Sequence, residues 1–219
     1  MAKKGQHFLV DVNTVKRIIS YVDFSQRPLI EIGGGKGALT SILNPDLTIE
    51  LDPTLIPFLM KYNLVIADAV NPPFSRGQVV SSLPYYITFD FMTTMVKLSG
   101  VQRLVLVLQK DFIDKVINDP TYISFTLNFH FKIFPKEIIS PRSFYPKPRV
   151  FSQIVVFERI KSYNFYVDEA LRCISSYKNK KLSSLSEFCK VRSNENKRIR
   201  DFKPWQVTEL LKLLDIGYV

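Results

Sequence analysis

Cysteine, acidic residues and long apolar runs are all scarce in this chain, and each scarcity excludes something. The two cysteines, Cys173 and Cys189, fall on what read as separate helices without metal-ligand spacing, so no metal site is expected. Two reduced, structural thiols are the expectation. No apolar run approaches the length of a membrane span. Residues Met1 to His7 lack the hydrophobic region of a signal peptide, so a cytoplasmic protein without a membrane partner is expected. Internal repeats and low-complexity segments are also missing.

Acids number 20 against 30 Lys and Arg, a net charge of +10. That excess favours a polyanionic partner. Nucleic acid stands ahead of membrane, because no strongly amphipathic basic helix precedes the core. A surplus of solvated lysine is the bland alternative. What is plentiful is apolar: 46% of the 219 residues, with 17 Phe. This suffices for one medium domain with a small appendage and argues against disorder.

The chain is organised around Glu31-Ile32-Gly33-Gly34-Gly35-Lys36-Gly37. Ahead of it, Leu29 to Ile32 reads as a buried parallel strand; behind it, Ala38 to Leu43 reads as a short helix closed at Asn44-Pro45-Asp46. A strand ending on Gly-x-Gly-x-Gly and feeding a helix brings backbone close to a ligand at the carboxyl edge of a sheet. Such a loop alone suits a nicotinamide, flavin, nucleotide or S-adenosylmethionine (SAM) site, or simply a tight turn. No Gly-Lys-Ser/Thr follows, which excludes an NTPase loop. Glu31 inside the apolar strand, and Glu50 ending a second strand as a ribose acceptor, favour SAM over a dinucleotide.

Strands are predicted over Leu47 to Asp52, Leu64 to Asp68, Gln78 to Leu83 and Leu104 to Leu108, with a helix from about Ile87 to Leu98. Asp11 is placed to cap a helix carrying Val12, Val15, Ile18, Ile19 and Val22, and the first ten residues read as an arm. This alternation predicts a doubly wound parallel α/β sheet. Alternation of Phe129, Phe131 and Ile133 with His130 and Lys132 predicts an antiparallel strand, and Val150 to Phe157 another. Together they form a closing hairpin around a proline-rich loop. Beyond residue 160 only short helices are predicted: Asp168 to Tyr177, Lys181 to Cys189, and Pro204 to Leu214 with Trp205 as a core anchor. The division is therefore 1–160 for the sheet domain and 161–219 for a small helical domain.

Five stretches now stand in order: Gly5-Gln6-His7-Phe8-Leu9, the glycine loop, Ile49-Glu50-Leu51-Asp52, Ala67-Asp68-Ala69, and Ser82-Leu83-Pro84-Tyr85-Tyr86-Ile87-Thr88. With Phe144-Tyr145-Pro146-Lys147-Pro148-Arg149-Val150 they resemble the small-subunit ribosomal RNA adenine dimethyltransferases, the KsgA-type family. The resemblance covers about residues 4 to 158 and, more loosely, the tail. It implies a Rossmann-like SAM-dependent methyltransferase acting on adenines of small-subunit rRNA in a pre-ribosomal particle; a monomer is expected. It implies that Gln6, His7 and Leu9 cover SAM, that Glu31, Gly33, Gly35 and Gly37 meet its methionine part, and that Glu50 and Leu51 hold its ribose. Asp68 and Ala69 would take its adenine. Tyr85 would stack on the target base; Phe144, on the proline loop at the same predicted edge, is the candidate for the other face.

An adenine amino group is a poor nucleophile, because its lone pair is delocalised. Acceptors aimed at its two N–H bonds turn that lone pair toward the sulfonium methyl. In the family an Asn carbonyl and a backbone carbonyl beside the proline do this. Ser82 stands in the Asn position here, with Leu83 and Pro84 following, so a single hydroxyl oxygen replaces the amide. That departure keeps open a ribosome-assembly or RNA-binding factor with little turnover. A large-subunit rRNA methyltransferase of the resistance type shares the same motifs. Between Lys178 and Lys203 lie nine Lys/Arg against three acids. Lys180, Lys181, Arg198 and Arg200 in that stretch, and Arg142, Lys147 and Arg149 in the proline loop, are the expected RNA contacts.

Overall fold

The computed structural model describes residues 6–216; Gly5 of the first motif lies outside them. In chain order the elements are β1 (Phe8–Leu9), α1 (Val12–Ile19), β2 (Leu29–Ile32), α2 (Thr40–Leu43), β3 (Leu47–Glu50), α3 (Ile56–Leu59), β4 (Leu64–Ile66), β5 (Arg76–Ser82), α4 (Thr88–Lys97) and β6 (Gly100–Gln109). There follow α5 (Lys110–Asn118), α6 (Tyr122–His130), β7 (Phe131–Ile139), β8 (Phe144–Tyr145), β9 (Ser152–Arg159), α7 (Phe165–Ser176) and α8 (Val207–Leu213).

Seven strands form one sheet in the order β4-β3-β2-β5-β6-β9-β7. The pairs among β2 to β6 are parallel, and β9 runs antiparallel to β6. Chain order reverses between β2 and β5, so a crevice opens there at the carboxyl ends of the strands. β2 is buried at all four positions, which is why it reads as an apolar run rather than an alternation. Asp11 caps α1 by accepting from the Asn13 and Thr14 amides. Val15 and Ile18 of α1 share a core with Val80, Val105, Val107, Ile154 and Val156 of the sheet. Each such fully buried aliphatic side chain contributes roughly 1.5–3 kcal/mol relative to exposure. The expected amino-terminal arm instead pairs: Phe8 and Leu9 lie opposite Tyr145 and Phe144 in a separate two-stranded sheet.

The chain divides into two compact units, one running up to Asp111 with Ile133–Arg159, the other Phe112–Lys132 with the chain from Ile160. The second unit thus takes in most of α5 and all of α6 as well as the tail. Phe125 and Phe129 explain it, since they enter one core with Val167, Leu171 and Ile174 of α7 and Leu210 and Leu211 of α8. They also correct the predicted strand: residues 129 and 130 close α6, and β7 begins at Phe131. Alternation over five residues does not distinguish a strand from a helix end whose Phe125 and Phe129 fall on one face.

Two further corrections fall in the tail. Cys173 and Cys189 are joined by a disulfide with Cα atoms 5.9 Å apart; the turn over Leu182–Glu187 brings Cys189 back to α7. Trp205 is 67% exposed and anchors no core; Phe202 and Val207 on either side of it are the buried residues. Among the described residues no helix is long and apolar enough to cross a membrane.

Candidate active site at the carboxyl edge of the sheet

The glycine loop is stitched to the next strand, because the Ile49 carbonyl accepts from the Gly33 and Gly34 amides at 2.8 and 3.3 Å. Gly33 has φ +72°, and a Cβ there would meet nothing within 4 Å, so its backbone faces open space. Gly34 serves close packing: a Cβ would lie 2.6 Å from the Thr48 methyl. Sequence reasoning passed over Gly34, whose need is visible only once β3 and α3 are in place. Gly37 closes the loop on the Gly34 carbonyl at 2.9 Å and does not line the crevice.

Three acids gather at this edge in different states. Glu50, 8% exposed, accepts from the Gly35, Leu51 and Asp52 amides, each at 2.9 Å. Its carboxylate latches the glycine loop to the end of β3; Oε1 is filled by two amides, and Oε2 retains capacity for one further donor. Glu31 is 1% exposed, and its Oε2 has no hydrogen-bond partner. Burial pushes its carboxyl up to about 7, partly offset by Thr40 and reinforced by Glu50. Asp68 is exposed, with one oxygen accepting from the Val70 amide at 2.9 Å. Asp52, quoted in the motif without a role, accepts from the Gln6 side chain at 3.1 Å.

Two adjoining cavities share Gln6, Gly33, Glu50 and Pro84. The smaller, about 90 Å³, is lined also by His7, Leu9, Glu31, Gly35 and Ser82. The larger, about 510 Å³, is lined by Leu51, Asp68, Ala69 and Leu83, with Tyr86 and Ile87; its size suits a small-molecule ligand. The orphaned Glu31 oxygen, the open Gly33 backbone and the acceptors Glu50 and Asp68 fit a ligand with a cationic amino-acid end and a nucleoside end. SAM has that chemistry.

β5 ends on two serines with different fates. The Ser81 hydroxyl donates to the Ile32 carbonyl at 2.6 Å. The Ser82 hydroxyl, half-buried, forms no hydrogen bond among the described residues and stays available to the cavity. Pro84 then turns the chain into Tyr85–Ile87 and α4. The half-buried Tyr85 is clamped by its hydroxyl, 2.7 Å from Ser152 Oγ; burial raises its pKa and Ser152 partly offsets this. Nothing local in the sequence couples Ser152 to residue 85. The His7 ring lies 5.6 Å from that of Tyr85, with Nδ1 2.6 Å from the Pro146 carbonyl. Phe144, expected beside the target base, is instead 5% exposed in the core. Alternation along β8 points Phe144 inward and leaves Tyr145 67% exposed.

Arg142, Lys147 and Arg149 line a separate groove of about 570 Å³ on the proline loop. Lys180, Lys181 and Arg200 are exposed and Arg198 is half-buried. Among the described residues none of these four side chains forms an ion pair, and no cluster of three His, Cys, Asp or Glu could hold a metal.

A family profile described as Ribosomal RNA adenine dimethylase matches residues 2–196. Relatives called Ribosomal RNA small subunit methyltransferase A include one from Mycoplasmopsis pulmonis, 29% identical over 92% of this chain and 89% of that protein. One from Prochlorococcus marinus is 30% identical over 81% of this chain and 78% of that protein. Among solved structures, a dimethyladenosine transferase from Plasmodium falciparum superposes with TM-score 0.71 at 22% identity, covering 96% of this chain and 90% of that one. The 23S rRNA methyltransferase ErmE gives 0.70 at 21%, covering 95% and 99%; both show the shared fold. With the profile spanning most of its length and the acids and serine turn converging at the switch point, this chain belongs to the ribosomal RNA adenine dimethylase family.

Proposed function

We propose that this protein transfers methyl groups from SAM to the exocyclic amino group of adenines in small-subunit rRNA. The observation that carries the reading is the turn Ser82-Leu83-Pro84-Tyr85: Ser82, with its free hydroxyl, and Pro84 line the acid-lined crevice, and the Tyr85 ring that follows is clamped through Ser152. Glu31 and the Gly33–Gly35 backbone would hold the amino-acid end of SAM, Glu50 the ribose and Asp68 the adenine. Bound there, SAM supplies an electrophilic methyl group.

The residues of this chain then prepare the nucleophile. Tyr85 offers a ring face for a base turned out of the RNA, fixed in advance by Ser152. Ser82 Oγ and the Leu83 carbonyl accept the two amino N–H bonds. The nitrogen lone pair is thereby freed to form the N–C bond as the S–C bond breaks, and the displaced proton leaves to solvent. No charged base is needed, and none lies on the turn. The exposed cations of the tail support the RNA partner by neutralising phosphates.

Single-turnover transfer tests the serine. Ser82→Asn restores a longer acceptor and is expected to raise the rate by on the order of tenfold or more, while Ser82→Ala lowers it. Equal rates for all three proteins would remove Ser82 from the chemistry.

A further inference from the structure

We infer that the groove on the Ser140–Phe151 loop is a phosphate site for the RNA strand beside the target adenine, and that its cations position that nucleotide for transfer. This rests on the methyl-transfer reading above and adds to it a place for the backbone of the substrate.

Arg142, Lys147 and Arg149 converge on this groove, with Phe151 and Pro148 in its wall. All three cations are exposed, and among the described residues none has an ion pair or a side-chain hydrogen bond. Three uncompensated cations repel each other and attract a polyanion.

The loop that carries them is fixed rather than free. Pro141 and Ser143 are buried. The Ser143 carbonyl accepts from the Val10 amide and the Phe151 carbonyl from the Lys110 amide, at 2.9 and 3.0 Å. A rim held this way requires little ordering when a ligand binds.

Its location makes the rim more than a general basic patch. Ser152, next in the chain to Phe151, holds the Tyr85 hydroxyl at 2.7 Å. The Pro146 carbonyl, next to Lys147, holds His7, whose ring stands 5.6 Å from that of Tyr85. The groove therefore begins one residue from the clamp on the base platform. A base stacked on Tyr85 must lead its sugar and phosphate out of the crevice, and the uncommitted cations mark that exit. Phosphate interactions of this kind set register and orientation rather than sequence.

The test pairs a protein change with an RNA change. The protein is Arg142→Gln, Lys147→Gln, Arg149→Gln together, with unchanged SAM affinity as its folding control. The RNA is an oligoribonucleotide with its target adenine in a loop and neutral methylphosphonates at the two phosphates flanking that adenine. Each change alone should weaken binding about tenfold, and both together should add little more, because they remove the same interactions. The variant should also lower the salt slope of RNA binding by about 0.7 for each phosphate it no longer neutralises. On rRNA particles it should reduce kcat/KM in single-site methylation. Fully additive losses, or wild-type affinity in the variant, would overturn the groove as the site. So would competition by millimolar inorganic phosphate that does not depend on the methylphosphonates, which would mark a free-anion site. Coupled losses in binding without methyl transfer by the wild type would instead overturn the enzyme reading and leave the RNA site standing.

Discussion

Replacing Glu50 by Gln tests the latch and the cofactor site in one protein. The carboxylate sits 8% exposed and takes the Leu51 and Asp52 amides on Oε1 and the Gly35 amide on Oε2. Gln keeps a carbonyl for the first pair but turns an NH₂ toward the Gly35 N–H, donor against donor. One charge-assisted bond is lost, a change of about 1.5–3 kcal/mol. At about 2–4 °C per kcal/mol for a chain of this length, the melting temperature should fall by roughly 3–12 °C. SAM affinity should fall by about 10- to 100-fold, since the loop that would hold its methionine part and the ribose acceptor are both altered. Glu50→Ala leaves all three amides without their acceptor and should be worse in both respects. Differential scanning calorimetry and titration calorimetry read the two effects separately. A lowered melting temperature with wild-type SAM affinity would confine Glu50 to the latch. No change in either would refute the reasoning altogether.

Three further outcomes follow from particular groups. Burial raises Glu31 from 4.5 to about 7, so the ligand-free fold holds a proton there that the unfolded chain releases. The stability this confers is complete below pH 4.5 and is lost as pH rises through about 7, a change of a few kcal/mol; Glu31→Gln should flatten that part of a stability–pH curve, and an unaltered curve would contradict it. The Cys173–Cys189 disulfide closes a short loop in the α6–α8 unit. Reducing it should lower that unit's stability by up to about 3 kcal/mol without altering SAM affinity, as denaturation with and without reductant would show. Neutralising Lys180, Lys181, Arg198 and Arg200 should reduce the slope of log K against log salt for RNA binding; an identical slope would return them to a solvated face.

The centre of the sheet was legible because strands such as β2 are buried on both faces and read as apolar runs. Where such a run ends on Glu50 or Asp68, the polar residue stands out against it. Motif order alone brought Gln6, Glu31 and Ser82 to one crevice. Long-range pairings were not legible. The Tyr85–Ser152 clamp joins residues 67 apart, and the disulfide depends on how the short 3-10 helix over Leu182–Glu187 carries Cys189 back to α7. Phe144 and Trp205 failed for one shared reason: an aromatic in a proline-bearing segment can face either way. Its neighbours, Tyr145 and Phe202, settle which ring is buried.

The central claim, methyl transfer to adenine, is tested most directly by incubating the protein and labelled SAM with small-subunit particles that lack adenine methylation, then mapping modified nucleotides. The account predicts N6,N6-dimethyladenine at discrete positions of small-subunit rRNA. It also predicts faster appearance of the mark with Ser82→Asn and loss of the mark when Tyr85 is replaced by Ala. Particles left unmethylated by both the wild type and Ser82→Asn, while each still binds SAM and RNA, would contradict it.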